Sequence, residues 1–186
     1  MNEREVLSTT KRHESRAANT FRLTETPPVF VRGEGPWLFT ASGDRYLDFV
    51  CGSSTTNLGH DHPAHRLAVE HAISTGIWHT GTRLPSPPRA ALYRKLAEIM
   101  PPSLSSFQLA NSGAEAIETA IKAAQFATGR QRLIAFEGGY HGRTLGALSV
   151  THSEHLRRPF STFDHLVDFL PYASRQSALG YEKDTA

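Results

Sequence analysis

Residues 109–144 read LANSGAEAIETAIKAAQFATGRQRLIAFEGGYHGRT, and this stretch decides the fold. Residues 107–110 (FQLA) have the short apolar character of a strand, and Asn111-Ser112-Gly113 form the turn after it. The spacing predicts a helix over 114–127, with Ile117, Ile121 and Ala124 on its inner face. Thr128-Gly129 closes that helix, and residues 133–136 (LIAF) read as a buried strand. Strand, helix, strand is one βαβ unit, so the expected class is α/β, a mostly parallel sheet under helical cover.

The turn has chemistry of its own. Gly113 admits close backbone approach, and the amides at the helix start lack intrahelical acceptors. Free amides and the helix dipole together favour a phosphate, and Ser112 adds a hydroxyl. An equally good reading makes Ser112 only the helix cap. Neither GxGxxG nor GxxxxGK[ST] is present, so a bound phosphate here would belong to a smaller cofactor than a nucleotide. Residues 138–144 follow the next strand and are expected at the same sheet edge. Tyr140 can lie against a flat ring, and Arg143 presents a planar fork to a carboxylate. Alternatively, Tyr140 is a core aromatic and Arg143 a surface cation. His141 either orients a neighbour or fills space.

Working outward, residues 29–31, 37–39 and 45–50 read as strands of a small hairpin or meander. Residues 52–59 read as a polar loop. Helices are expected over 63–75, with Leu67, Ala68 and Ala72 on one face, and over 90–100, with Leu92, Leu96 and Ile99 spaced for burial. One further strand or helix edge is expected within 163–172. The chain has 186 residues, with 20 Lys+Arg against 18 Asp+Glu. That near balance, without a basic run, carries no nucleic-acid footprint. No apolar run is long enough to span a bilayer, and residues 1–20 lack the apolar core of a secretory signal. The single cysteine, Cys51, excludes an internal disulfide and suits a reducing compartment, so a cytoplasmic location is expected. His60, His62, His65 and His71 match no zinc spacing, and no metal site is expected.

Two segments carry a resemblance. NSGAEAIETAIKAAQFATGR followed by AFEGGYHGRTLGALSVT resembles the class III aminotransferases, the 4-aminobutyrate, acetylornithine and ornithine type. These are fold type I enzymes that use pyridoxal 5'-phosphate. GPWLFTASGDRYLDFVCGSSTTNLGHDHP is similar to the family's opening segment, and LPYA at 170–173 to a later one. The resemblance covers residues 27–173 in collinear order. It implies that Ser112, Gly113 and Ala114 cradle the cofactor phosphate and that Tyr140 stacks on the ring within a loop shaped by His141. It implies that Arg143 binds a substrate carboxylate and that Ser53 and Ser54 line the substrate pocket. Glu115 is expected to cap and pack locally.

The resemblance also frames the organisation. Residues 1–20 are expected to be a flexible leader, 21–60 an N-terminal hairpin segment, and 61–186 the first, incomplete part of the cofactor-binding large domain. The implied reaction moves an amino group from an amino acid or ω-amino acid to a 2-oxo acid. The Schiff-base lysine and the aspartate on the pyridine nitrogen fall later in the family's chain. Lys95, Lys122 and Lys183 do not stand in for that lysine, nor Asp164 or Asp168 for the aspartate. The expected partners are therefore a complementing subunit carrying the lysine half, or a homodimer of the complete enzyme. The alternative is a catalytically inactive α/β binding or assembly module.

Overall fold

The computed structural model describes residues 1–15, 20–76, 81 and 83–172. The chain divides into two compact units, Met1–Ser86 and Pro87–Ala186. The boundary expected after residue 60 thus falls inside the first unit.

In the first unit, the expected leader contains a helix, α1 (Glu3–His13). Asn2 caps it by accepting the amide of Glu5, and the Glu5 carboxylate accepts the amide of Asn2, each at 2.9 Å. Polarity made the segment read as unstructured, but two orphan amides satisfied reciprocally define a helix start without a buried apolar face. Strands β1 (Phe30–Glu34), β2 (Trp37–Thr40) and β3 (Arg45–Leu47) form an antiparallel meander in that order. Charged rims cover it: Arg32 lies 3.8 Å above the Phe39 ring and Arg45 lies 4.7 Å above Trp37. Strand β3 ends sooner than expected because the next pair in register is Pro36 with Asp48: the Asp48 amide donates to the Pro36 carbonyl at 2.9 Å, but proline has no N–H to return the bond.

The loop expected over 52–59 contains a single helical turn, α2 (Cys51–Ser54). Its handedness is unusual. Cys51, Gly52, Ser53 and Ser54 have φ of 49°, 58°, 60° and 68°. A left-handed turn costs roughly 1–2 kcal/mol for each non-glycine residue, so three of these four positions are strained. Helix α3 (Pro63–Ser74) follows, with proline at its start.

In the second unit, α4 (Pro87–Ile99) precedes α5 (Gly113–Thr128). Neither α3 nor α4 buries a residue. Leu67, Leu92 and Ile99 stay exposed, contrary to the burial their spacing predicts, while Leu96 on the same face as Leu92 is half-buried. Residues 107–110 join no ladder, so the strand expected there is absent from the described sheets. The parallel pair is instead β4 (Leu133–Phe136) with β5 (Val167–Leu170), Ala135 lying opposite Phe169. The crossover runs through α6 (Leu145–Ser149), α7 (Glu154–Arg157) and a 3-10 helix (Arg158–Leu166). Parallel strands need such a crossover because a tight turn reverses direction. Ala135, Val150 and Val167 form the core, with Ile117, Ile121, Leu133 and Phe169 packed against it. Two of the three residues expected on the inner face of α5 are therefore there; Ala124 is exposed.

Helix α5 ends at Gly129, which caps it with φ 68° and donates to Gln125 at 2.9 Å. A Cβ at this position would meet nothing within 4 Å. Gly129→Ala should therefore cost only backbone strain, about 1 kcal/mol in urea unfolding; an unchanged midpoint would contradict the left-handed cap.

Candidate active site

Ser112 stands in extended conformation (φ −147°, ψ 161°) immediately before α5. Its hydroxyl accepts the amide of Glu115 at 3.2 Å, and the Glu115 carboxylate reaches back to the amide of Asn111 at 2.7 Å. Ser112 is thus a helix cap, and Glu115 has the capping role expected of it. The amides of Gly113 and Ala114 find no acceptor among the described residues. A Cβ on Gly113 would meet no atom within 4 Å. Nothing inside the described chain requires glycine there.

Residues 138–144 close directly on this turn. Gly142 has φ 128°, and a Cβ on it would stand 2.7 Å from the Ala114 Cβ and 3.3 Å from the Ala147 Cβ. Glycine is needed twice over, for the backbone angle and for the approach. The contact brings Ser112, Gly113 and Ala114 together with the segment carrying Tyr140, His141 and Arg143. Tyr140 is 62% exposed. It is not a core aromatic, and its ring is free to meet a ligand. Arg143 is exposed and makes no ion pair or hydrogen bond among the described residues. The His141 ring folds back over Gly139, where a Cβ would lie 3.1 Å from Nε2. Ser53 and Ser54 belong to the first unit, where both are exposed on α2.

Two residues that sequence reasoning passed over hold this loop. Thr151 is completely buried. Its hydroxyl accepts the amide of His141 at 3.0 Å, and its proton lies within reach of the carbonyls of Ala147 at 2.9 Å and Gly142 at 3.1 Å. The second residue is Glu118, on α5. Its Oε1 accepts the Thr144 hydroxyl at 2.6 Å and the amides of Gly146 and Ala147 at 2.8 and 3.2 Å. A Cβ on Gly146 would fall inside contact distance of that carboxylate. Glu118 therefore caps α6 from another helix. The Thr144 hydroxyl, then the Ala147 and Gly146 amides and Lys122, hold its pKa below the ordinary glutamate value against the opposing effect of burial.

The described residues contain no group of three or more His, Cys, Asp or Glu side chains able to hold a metal. No described helix is long and apolar enough to cross a membrane.

Residues 21–185 match the model of the class-III aminotransferase family. The acetylornithine aminotransferase of Archaeoglobus fulgidus is 39% identical over 156 residues, covering 83% of this chain and 40% of that protein. A [LysW]-aminoadipate semialdehyde/glutamate semialdehyde transaminase of Sulfurisphaera tokodaii is 35% identical over 160 residues, 85% of this chain and 41% of that one. The crystal structure of an (S)-enantioselective ω-transaminase from Thermomicrobium roseum superposes with a TM-score of 0.82 at 32% identity, over 92% of this chain and 40% of that chain. The fold and the placement of the glycine turn thus define an α/β, fold type I arrangement. The chain belongs to the class III aminotransferases. It spans about 40% of the length of these relatives.

Thr151→Val removes the hydroxyl while keeping the shape. It should cost about 1–3 kcal/mol by leaving the His141 amide buried without a partner, and hydrogen exchange at that amide should accelerate. An unchanged exchange rate would refute the buttress. For Glu118 the depressed folded pKa fixes the sign. Its contribution is complete above the unfolded glutamate value and is lost as pH falls through the folded one. The stability gap between wild type and Glu118→Gln should be constant above about pH 5 and narrow as pH falls below the ordinary glutamate range in denaturant titrations.

Proposed function

We propose that this chain supplies the phosphate, ring and carboxylate sides of a pyridoxal 5'-phosphate site. The site would serve transamination between an amino acid or ω-amino acid and a 2-oxo acid. The observation that carries this reading is the contact of Gly142 with Ala114. It sets an exposed tyrosine and an unpaired arginine beside two amides without acceptors.

These residues fit the cofactor's anionic and aromatic parts. The Gly113 and Ala114 amides, at the positive end of a 16-residue helix, would hold the phosphate. Ser112 already accepts from Glu115, which leaves its hydroxyl proton to donate to a phosphate oxygen. Tyr140 would stack on the ring, with His141 turned back to prop the loop behind it. Arg143 would orient a substrate carboxylate through two parallel hydrogen bonds, favouring amino acids over simple amines. Ser53 and Ser54 would contact the substrate. When bound, the cofactor supplies an electron sink for the charge that develops at the substrate carbon losing its proton.

The described lysines do not complete such a site. Lys11 is paired with Glu25 and Lys95 with Glu98. Lys122 sits on α5 roughly 13 Å beyond Gly113 along the helix axis. Lys183 lies outside the described residues. Proton transfer is therefore assigned to a lysine-bearing complement, and a second copy of the complete chain would be the partner in a homodimer. The amino donor stays open, because relatives of similar identity carry different substrate names. A second reading, an inactive binding or assembly module, draws on the cap itself, since Ser112 accepts the Glu115 amide and Glu115 accepts the Asn111 amide without a ligand.

Titration of the chain with pyridoxal phosphate, followed by intrinsic fluorescence, separates the two. Saturable binding competed by inorganic phosphate is expected, with Tyr140→Ala weakening it roughly 2- to 10-fold. Arg143→Ala should leave that Kd within about twofold and weaken binding of 2-oxoglutarate about tenfold or more, the loss expected for a charge-assisted pair. Absence of saturable binding by the wild-type chain would favour the inactive module.

A further inference from the structure

The α2 turn raises a separate question, namely what keeps four successive residues left-handed. Its own bonds are local: Ser54 donates to Val50 at 3.0 Å, Thr55 and Thr56 to Cys51 at 2.8 and 2.9 Å, and the Thr55 hydroxyl to Gly52 at 2.8 Å. Such bonds also form in right-handed turns and do not select the handedness. Further contacts come from the two ends of the segment 48–60.

Asp48 forms one end. Its Oδ1 accepts the amides of Val50 and Cys51 at 3.0 and 2.9 Å, and its Oδ2 meets His60 Nε2 at 2.8 Å. Only 8% of the Asp48 side chain and 22% of the His60 side chain are exposed. The His60 bond, the Cys51 amide and the Val50 amide draw the Asp48 pKa below the ordinary aspartate value, with burial opposing. His60 forms the other end and is itself clamped. Its backbone exchanges two hydrogen bonds with Gly35, at 2.7 and 2.9 Å. Its ring lies so close over Gly33 that a Cβ there would stand 2.7 Å from the His60 Cβ and Cγ. Gly59, with φ 84°, passes Gly35 at a distance that also excludes a side chain. The amide of Asp48 is tied to Pro36. Both ends are therefore fixed to the turn between β1 and β2, and the Asp48–His60 bond closes the neck of a compact surface loop.

We propose that Asp48 and His60 are a positioning pair that holds α2 left-handed, and so sets the direction in which Ser53 and Ser54 present their hydroxyls. The positioning claim stands on the geometry of the first unit. Its relevance to substrate rests on the reading that Ser53 and Ser54 touch substrate. Strained backbone persists only where its surroundings over-determine it, and here three acceptor contacts of one buried carboxylate converge on the strained turn and its neck.

The chain reports on this turn without modification. Cys51 is its single cysteine, lies on α2, and donates its thiol proton to the Asp48 carbonyl at 3.4 Å. The test is the rate of Cys51 alkylation by iodoacetamide, an uncharged probe, in the full chain. Asp48→Ala and His60→Ala should raise the rate about tenfold or more, while Asp48→Asn, which keeps the acceptor for both amides, should stay within about threefold of wild type. Alanine and asparagine lose the charge alike, so the split between them reads hydrogen bonding and not the field at the thiol. Thr151→Val, a destabilising change in the other unit, should leave the rate unaltered. Equal rates in wild type and in Asp48→Ala would overturn the proposal, as would equal acceleration by alanine and asparagine. Protection of Cys51 by 2-oxoglutarate with pyridoxal phosphate then tests the substrate reading by itself. If the alanine variants loosen the turn but these ligands do not protect it, the positioning pair stands and the assignment of Ser53 and Ser54 to the substrate fails.

Discussion

One hydroxyl organises the second unit. Thr151 is wholly buried and satisfies the amide of His141 while standing within hydrogen-bond reach of the carbonyls of Gly142 and Ala147. A loop of two glycines with positive φ, Gly138 and Gly142, has little preference of its own. It becomes a defined surface because its polar backbone must be paired where it meets the core: Thr151 pairs it at His141 and Gly142, and the neighbouring His152 amide pairs the carbonyl of Gly139. Gly142 then rests on Ala114, and the start of α5 and the Tyr140–Arg143 segment become one site.

Glu118 extends the same logic to the next element. Helix α6 is five residues long and has no cap of its own, so its first amides bind a carboxylate on α5. The helix that presents the Gly113 and Ala114 amides thereby also fixes the far end of the loop facing them. The two sides of the site are not independently adjustable. In the first unit the corresponding role falls to Asp48 and His60, which close a loop whose turn is strained. In each case a carboxylate supplies acceptors to backbone amides that local structure leaves unpaired.

Much of this was readable in advance. The helix of α5, its glycine stop, strand β4 and the meander follow from periodicity and turn chemistry, and so does the pairing of the glycine turn with the aromatic-basic loop. Other features were not. Residues 107–110 have strand character but no ladder partner among the described residues, and propensity does not create one. Leader residues 3–13 are mostly polar, with Val6 and Leu7 the exceptions, yet a capping box gives them a helix. Leu67, Leu92 and Ile99 have helical spacing yet stay exposed. Ser53 and Ser54 were read as loop residues because left-handed φ at serine has no sequence signature.

The sequence by itself determined the elements whose causes are local: the cap at Ser112, the break at Gly129, the apolar face of Ile117 and Ile121, and the residue types of the candidate site. It also determined the family, because motifs in collinear order carry that information. Only the tertiary structure decided which groups serve as supports. Thr151, Glu118, Asp48 and His60 act across 9 to 29 residues of chain. Apart from the Asp48–His60 and Glu118–Thr144 side-chain pairs, their partners are backbone amides and carbonyls, which almost every residue carries. A contact to a group common to all residues leaves no pattern in the sequence, and it is specified only when the fold brings the pair within reach.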